Sequence, residues 1–154
     1  MVDLSNRRVF LSGPMTGIRH YNAGTFCEVH AALKERGVKT IYNPAIRWLS
    51  TPQKRAEEMS HGDWMRVCIG ELTNGWYNLL VQLPGWHDSE GAKTEFEVAM
   101  ACGMEVCSIT DITDEPEEAP KWVRTTIEQY VTTLLDGDLT PTECIDLLVG
   151  LCDG

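Results

Sequence analysis

Short apolar runs alternate with stretches of helical period over the first 109 residues. RVFLS (8–12) is a β-rich run that ends at Gly13-Pro14. Residues 22–36 follow with Phe26, Val29, His30 and Leu33 at helical spacing, and Gly37 supplies a stop. VKTIYN (38–43) is a second strand, and Pro44 to about residue 60 is a polar, partly helical connection containing Pro52. Residues 63–73 carry Trp64, Met65, Val67, Cys68, Ile69 and Leu72 and predict a helix. YNLLVQL (77–83) is almost continuously apolar, as a strand covered on both faces must be. A helix over 89–102 closes on Gly103, and MEVCSI (104–109) is the next strand.

This β-α-β-α-β-α-β order predicts an α/β fold, a Rossmann-like doubly wound parallel sheet of four or five strands with right-handed crossovers. Ligands of such sheets bind beyond the carboxyl ends of the strands. Three of those ends are SGPMTG (12–17), Asn43-Pro44 and PGWHDSEG (84–91), so a site is expected among them. The remainder reads differently. TDEPEEAP (113–120) is an acidic linker; residues 121–135 and 141–152 have helical period. Residues 1–112 are therefore expected to form the α/β domain. Residues 113–154 would be a C-terminal helical extension, packed on that domain or on a neighbouring subunit, because short helices need a partner surface.

One charge is out of place. On a wheel at about 100° per residue, Ala92, Phe96, Ala99, Met100 and Gly103 form an apolar arc that Val98 and Cys102 extend. Glu90, Lys93 and Glu97 fall opposite, with Lys93 and Glu97 spaced to pair. Glu95 lies inside the arc, between Ala99 and Cys102. A carboxylate rarely sits there without a partner or a task. It reaches water at the arc's edge, pairs with an arginine, or serves a site. Nearby residues favour a site: Asp88 and Ser89 can cap the helix, and Gly91 opens its first turn to an anion such as phosphate. Trp86 either packs or stacks on a planar base.

Composition narrows the function. The 154 residues carry a net charge of −10, with 43% hydrophobic and 23% charged residues, the mix of a globular protein rather than a disordered one. Residues 1–104 hold 11 acidic and 11 basic side chains, whereas residues 105–154 hold 12 acidic ones against Lys121 and Arg124. Such a surface repels polyanions, so no nucleic-acid polymer is expected as a partner. No apolar run approaches the ~20 residues of a membrane span, and MVDLSNRRVFLSG has no signal-like apolar region. A cytoplasmic protein that touches no membrane is expected. The six cysteines form no C-x-x-C pair and the four histidines lack ligand spacing, so reduced thiols and no metal are expected.

VFLSGPMTGIRHYN (9–22), NP (43–44), DWMR (63–66), LPGW (83–86) and DSEGAKTEFEVAMACG (88–103) come in a recognisable order. That order and spacing resemble the nucleoside 2-deoxyribosyltransferase-like superfamily, most closely its short branch often met in phage and prophage genomes. The resemblance covers about residues 8–109. It implies a Rossmann-like fold, a homodimer or higher homo-oligomer, and a glutamate that attacks the anomeric carbon of a deoxynucleoside. In the family this glutamate stands eight residues before the glycine that closes its helix, which is Glu95 counted from Gly103. The sugar-orienting aspartate matches Asp88, or Ser89 with a slip of one. The first loop, with Ser12, Gly13, Pro14 and Met15, lines the pocket in such proteins, and Tyr21-Asn22 belong to the branch's first loop. Two positions depart from the family. A first-strand tyrosine that bonds the nucleophile is matched by Phe10. The aspartate that handles the leaving base falls near Cys68, Gly70 or Glu71, with Asp63 the nearest aspartate.

The expected function is cleavage or transfer of the N-glycosidic bond of a 2′-deoxynucleoside or its 5′-monophosphate. Glu95 would be the nucleophile, Asp63 or Glu71 the acid, Asp88 the sugar's holder, with Trp86, Ser89 and Gly91 around the ligand. No cofactor is required. The alternative is a non-catalytic module that binds or senses a nucleotide in the same pocket.

Overall fold

The computed structural model describes residues 2–51 and 53–112. Four strands, β1 (Arg8–Ser12), β2 (Thr40–Tyr42), β3 (Leu79–Gln82) and β4 (Glu105–Ser108), pair in parallel in the order β2-β1-β3-β4. Five α-helices connect them: α1 (Ala23–Glu35), α2 (Pro44–Ser50), α3 (Gln53–Glu58), α4 (His61–Leu72) and α5 (Glu90–Ala101). The chain steps from β1 to one side and then back across it to β3, so the order reverses between β1 and β3. A cleft opens at such a reversal, because the connections leaving the two strands run to opposite faces.

The two central strands are apolar on both faces for a physical reason: helices cover both. Val9, Leu11, Leu79 and Val81 pack with Phe26 and Leu33 of α1 and with Ala45 and Leu49 of α2. Phe10 and Leu80 turn the other way, onto Leu72 of α4 and Ala99 of α5. Ser12 follows Phe10 at the strand period of two and so faces α5 as well. The register sets Phe10 beside Tyr42 and Leu80, and Ser12 beside Gln82. Among the described residues, every predicted strand and long helix forms within two residues of its expected bounds. The connection after Pro44 is resolved into two separate helices, α2 and α3. Lys93 pairs with Glu90 at 2.9 Å, one helical turn back, instead of with Glu97. The helices expected over 121–135 and 141–152 lie outside the described residues. Among the described residues, no helix is long and apolar enough to cross a membrane.

Candidate active site

The cleft begins where β1 and β3 end side by side. Leu83 donates its amide to the Ser12 carbonyl at 2.8 Å. A Cβ on Gly13 would stand 2.7 Å from the Leu83 Cβ, so only glycine allows this approach. Ser12 Oγ then donates to Glu95 Oε1 at 3.2 Å. Glu95 is one of the least exposed polar residues in the structure, at 7%. Its second oxygen, Oε2, is buried and has no hydrogen-bond partner. Burial pushes this carboxyl up to about 8, partly opposed by the Ser12 hydrogen bond. Buried carboxylates are normally satisfied; an ionisable oxygen left open in a cleft is the mark of a group that meets a ligand.

Three helices and one loop surround this carboxyl. The start of α5 is capped by Ser89, whose Oγ accepts from the Ala92 amide at 3.2 Å. Gly91 in the first turn leaves space against Met65 and His61. On α4, His61, Trp64, Met65 and Cys68 lie at i, i+3, i+4 and i+7 and present one face to the cleft. On α2, Pro44 starts the helix and Asn43 caps it, accepting from the amides of Ala45 (3.0 Å) and Ile46 (3.4 Å). That cap aims Arg47 and Trp48 at the cleft mouth. The β1–α1 loop adds Met15, Thr16 and Tyr21. Its end is held in an unusual backbone: Tyr21 and Asn22 both have positive φ, 51° and 63°, a conformation rare for a bulky side chain. Asn22 Nδ2 donates to the Pro14 carbonyl at 2.9 Å and steadies the turn. The strained loop sets the Tyr21 ring against Trp48, centroids 4.3 Å apart. Among the described residues lining the cleft, Glu95 is the sole carboxylate, and Arg47 and His61 are the basic groups.

Of the residues singled out from the sequence, Gly13, Met15, Tyr21, Ser89, Gly91 and Glu95 meet in this cleft, and Ser12 touches Glu95. Pro14 and Asn22 shape the loop rather than line the space. Phe10 is fully buried behind it, its ring 4.8 Å from that of Tyr42. Four residues lie elsewhere. Trp86 stacks on His87 (4.0 Å) and packs on Phe96 (5.3 Å), in a surface groove on the other side of α5. Asp88 is exposed at the end of a short 3-10 turn, Trp86–Asp88, and leaves the capping of α5 to Ser89. Asp63 forms a capping box with Ser60 and an ion pair with Arg66 at 3.0 Å. Those contacts hold its carboxyl below the usual range, the Ser60 amide contributing most. Glu71, the other acid considered, accepts from the Tyr77 hydroxyl at 2.8 Å and does not line the cleft. Arg47, Trp48, His61 and Trp64 are the wall residues that sequence reading passed over. The spacing of His61 with Trp64, Met65 and Cys68 was the available signal for α4; the helix predicted over 63–73 began after His61 and did not separate this face from the rest.

The fold and cleft define a parallel α/β domain with a buried, half-satisfied carboxylate at its topological reversal. The chain belongs to the family described as a domain of unknown function, DUF4406, whose model matches residues 7–108. That span contains the four described strands of the sheet and the described residues of the cleft. No curated protein and no solved structure matches the chain.

Proposed function

We propose that this protein cleaves or transfers the N-glycosidic bond of a 2′-deoxynucleoside or its 5′-monophosphate, with Glu95 as nucleophile. The observation that carries this reading is the free, buried Oε2 of Glu95 in the cleft; the resemblance of residues 8–109 to deoxyribosyltransferase-like proteins supports it. Glu95 as carboxylate attacks C1′ and displaces the base, and the glycosyl-enzyme ester is then opened by water or by a second base. Ser12 holds Oε1 and leaves Oε2 to react. The Tyr21–Trp48 pair and Trp64 give the base flat apolar walls. Amides of the first turn of α5, beside Ser89 and Gly91, suit the 5′-oxygen or its phosphate. Ser89 lines the cleft where Asp88 does not, and so takes the sugar-holding role. His61 takes the place expected of Asp63 or Glu71, since it is the lining group able to give a proton to the departing base.

The test is incubation with deoxynucleosides and deoxynucleoside monophosphates, with and without an acceptor base, followed by chromatography for free base. Glu95→Gln is expected to lower base release at least ~1000-fold. Release that persists in Glu95→Gln ends the reading. A second reading, a nucleotide-binding module without turnover, is favoured by the absence of a second carboxylate among the described residues of the cleft lining and by the neutral state of Glu95 below pH 8. A ligand that raises the melting temperature and is recovered intact supports that alternative.

A further inference from the structure

The proposed chemistry uses no group behind α2, yet α1 meets the start of that helix through a buried histidine. His30 of α1 sets its Nδ1 3.3 Å from Asn43 Nδ2. Asn43 is buried as well and stands between β2 and α2. The cap of α2 fixes which of the two groups donates. Asn43 Oδ1 accepts from the Ala45 amide at 3.0 Å and from the Ile46 amide at 3.4 Å. The reversed side-chain amide would set Nδ2 against those two N–H groups, donor facing donor, in a place without water. Nδ2 therefore points away from α2, toward His30 Nδ1 and toward Cys27 Sγ at 3.9 Å. An amide nitrogen only donates, so His30 Nδ1 accepts and the ring carries its proton on Nε2.

The same asparagine leads to the cleft. Its main-chain carbonyl accepts from the Arg47 amide at 3.1 Å. Arg47 and Trp48 line the cleft, and Trp48 holds the Tyr21 ring at 4.3 Å. Tyr21 closes the loop that enters α1. The two halves of this aromatic wall thus hang from the two helices that His30 and Asn43 join. With seven residues, α2 is too short to hold a position by itself. Its place is set by its cap and by the surface beneath it.

We infer that His30 is a positioning residue for the cleft: by accepting from Asn43 Nδ2 it locks the amide in the orientation that caps α2, and so keeps Arg47 and Trp48 in the wall. His30 and Asn43 lie outside the cleft lining and act through the helix. The consequence for turnover rests on the proposed glycosidic chemistry, whereas the histidine tautomer and the capping of α2 do not.

The experiment is nitrogen NMR of the His30 ring, with amide hydrogen exchange, on the full chain above the ordinary histidine titration range. In wild type, Nδ1 should appear as the unprotonated nitrogen and Nε2 as the protonated one. A proton on Nδ1 overturns the inference without recourse to any variant. His30→Leu fills the space but offers no acceptor, and His30→Gln keeps one. His30→Leu should speed exchange of the Ala45 and Ile46 amides at least ~ten-fold, with a smaller change in β1 and β3. His30→Gln should recover most of that protection, a rescue that a packing role would not produce. Equal acceleration in the two variants, or equal acceleration across β1 and β3, also overturns it. In base-release assays His30→Leu should raise KM for a deoxynucleoside monophosphate about ten-fold and leave kcat within about two-fold, since Glu95 stands on α5. The expected tautomer and exchange pattern in a protein that releases no base keep the role of His30 and remove the glycosidase. Base release that depends on Glu95, with Nδ1 protonated, does the reverse.

Discussion

A carboxyl that stays protonated to about pH 8 links Glu95 to the stability of the whole chain. Its native affinity for the proton exceeds the unfolded one, so the native state binds more protons between about pH 4.5 and pH 8. The contribution is complete below the unfolded value and is lost as pH rises through the folded one. Wild type should thus lose stability from pH 5 to pH 8.5 relative to Glu95→Gln. The ceiling is on the order of 5 kcal/mol, read from urea unfolding at the two pH values; parallel pH profiles would contradict it. Two glycines should respond in opposite ways. Gly13→Ala drives a Cβ to 2.7 Å from the Leu83 Cβ, which is fixed to the backbone, and should destabilise by ~1–3 kcal/mol. Gly91→Ala meets the flexible end of Met65 at 3.2 Å. It should leave melting unchanged or slightly raised, since alanine favours a helix, yet weaken nucleotide binding about ten-fold by narrowing the cleft. Melting curves with and without ligand separate the two.

Among the elements, α4 carries the clearest division of labour. Its first turn is tied outward by the Ser60–Asp63 capping box, while His61, Trp64, Met65 and Cys68 face the cleft. Ser60→Ala should cost about 1 kcal/mol, the usual worth of a cap. Asp63→Asn should likewise lower the melting temperature while leaving base release within about two-fold, because Asp63 holds the helix and lies outside the cleft. A large loss of turnover in Asp63→Asn with an unchanged melting temperature would return Asp63 to the chemistry. The β1–α1 loop acts as an element of the same kind. The Asn22 bond to Pro14 stabilises a backbone that presents Tyr21 to Trp48, so strain is held at the cleft wall.

For the whole molecule, the described residues 2–51 and 53–112 build two apolar clusters, a four-stranded sheet and the cleft. A chain ended after Ile112 is therefore expected to unfold cooperatively and to keep the melting shift produced by a bound nucleotide. It also sheds most of the acidic excess, since only Glu105 and Asp111 of the 12 acids beyond residue 104 remain. Calorimetry with and without deoxynucleoside monophosphate checks this. An insoluble product, or one blind to ligand, would make residues 113–154 part of the same cooperative unit.

The parallel α/β architecture was legible in the chain because it is written locally. Apolar runs, helical periods and the closing glycines at 37 and 103 each act within a few residues. Glu95 was legible for the same reason, as a charge on the wrong side of one helix. Trp86 and Asp63 show where that logic stops: position beside a strand end or on a helix does not say which side of the neighbouring element a side chain reaches. Arg47, Trp48 and His61 are separated from Glu95 by dozens of residues, and only the crossovers of the sheet bring them to one cleft. The pairing of Tyr42 with Phe10 likewise follows from strand register, and the unsatisfied oxygens at Tyr42 and Glu95 exist only once packing has excluded water. Local pattern selects the elements; which polar groups end up facing one another, dry and unpaired, is decided when those elements pack.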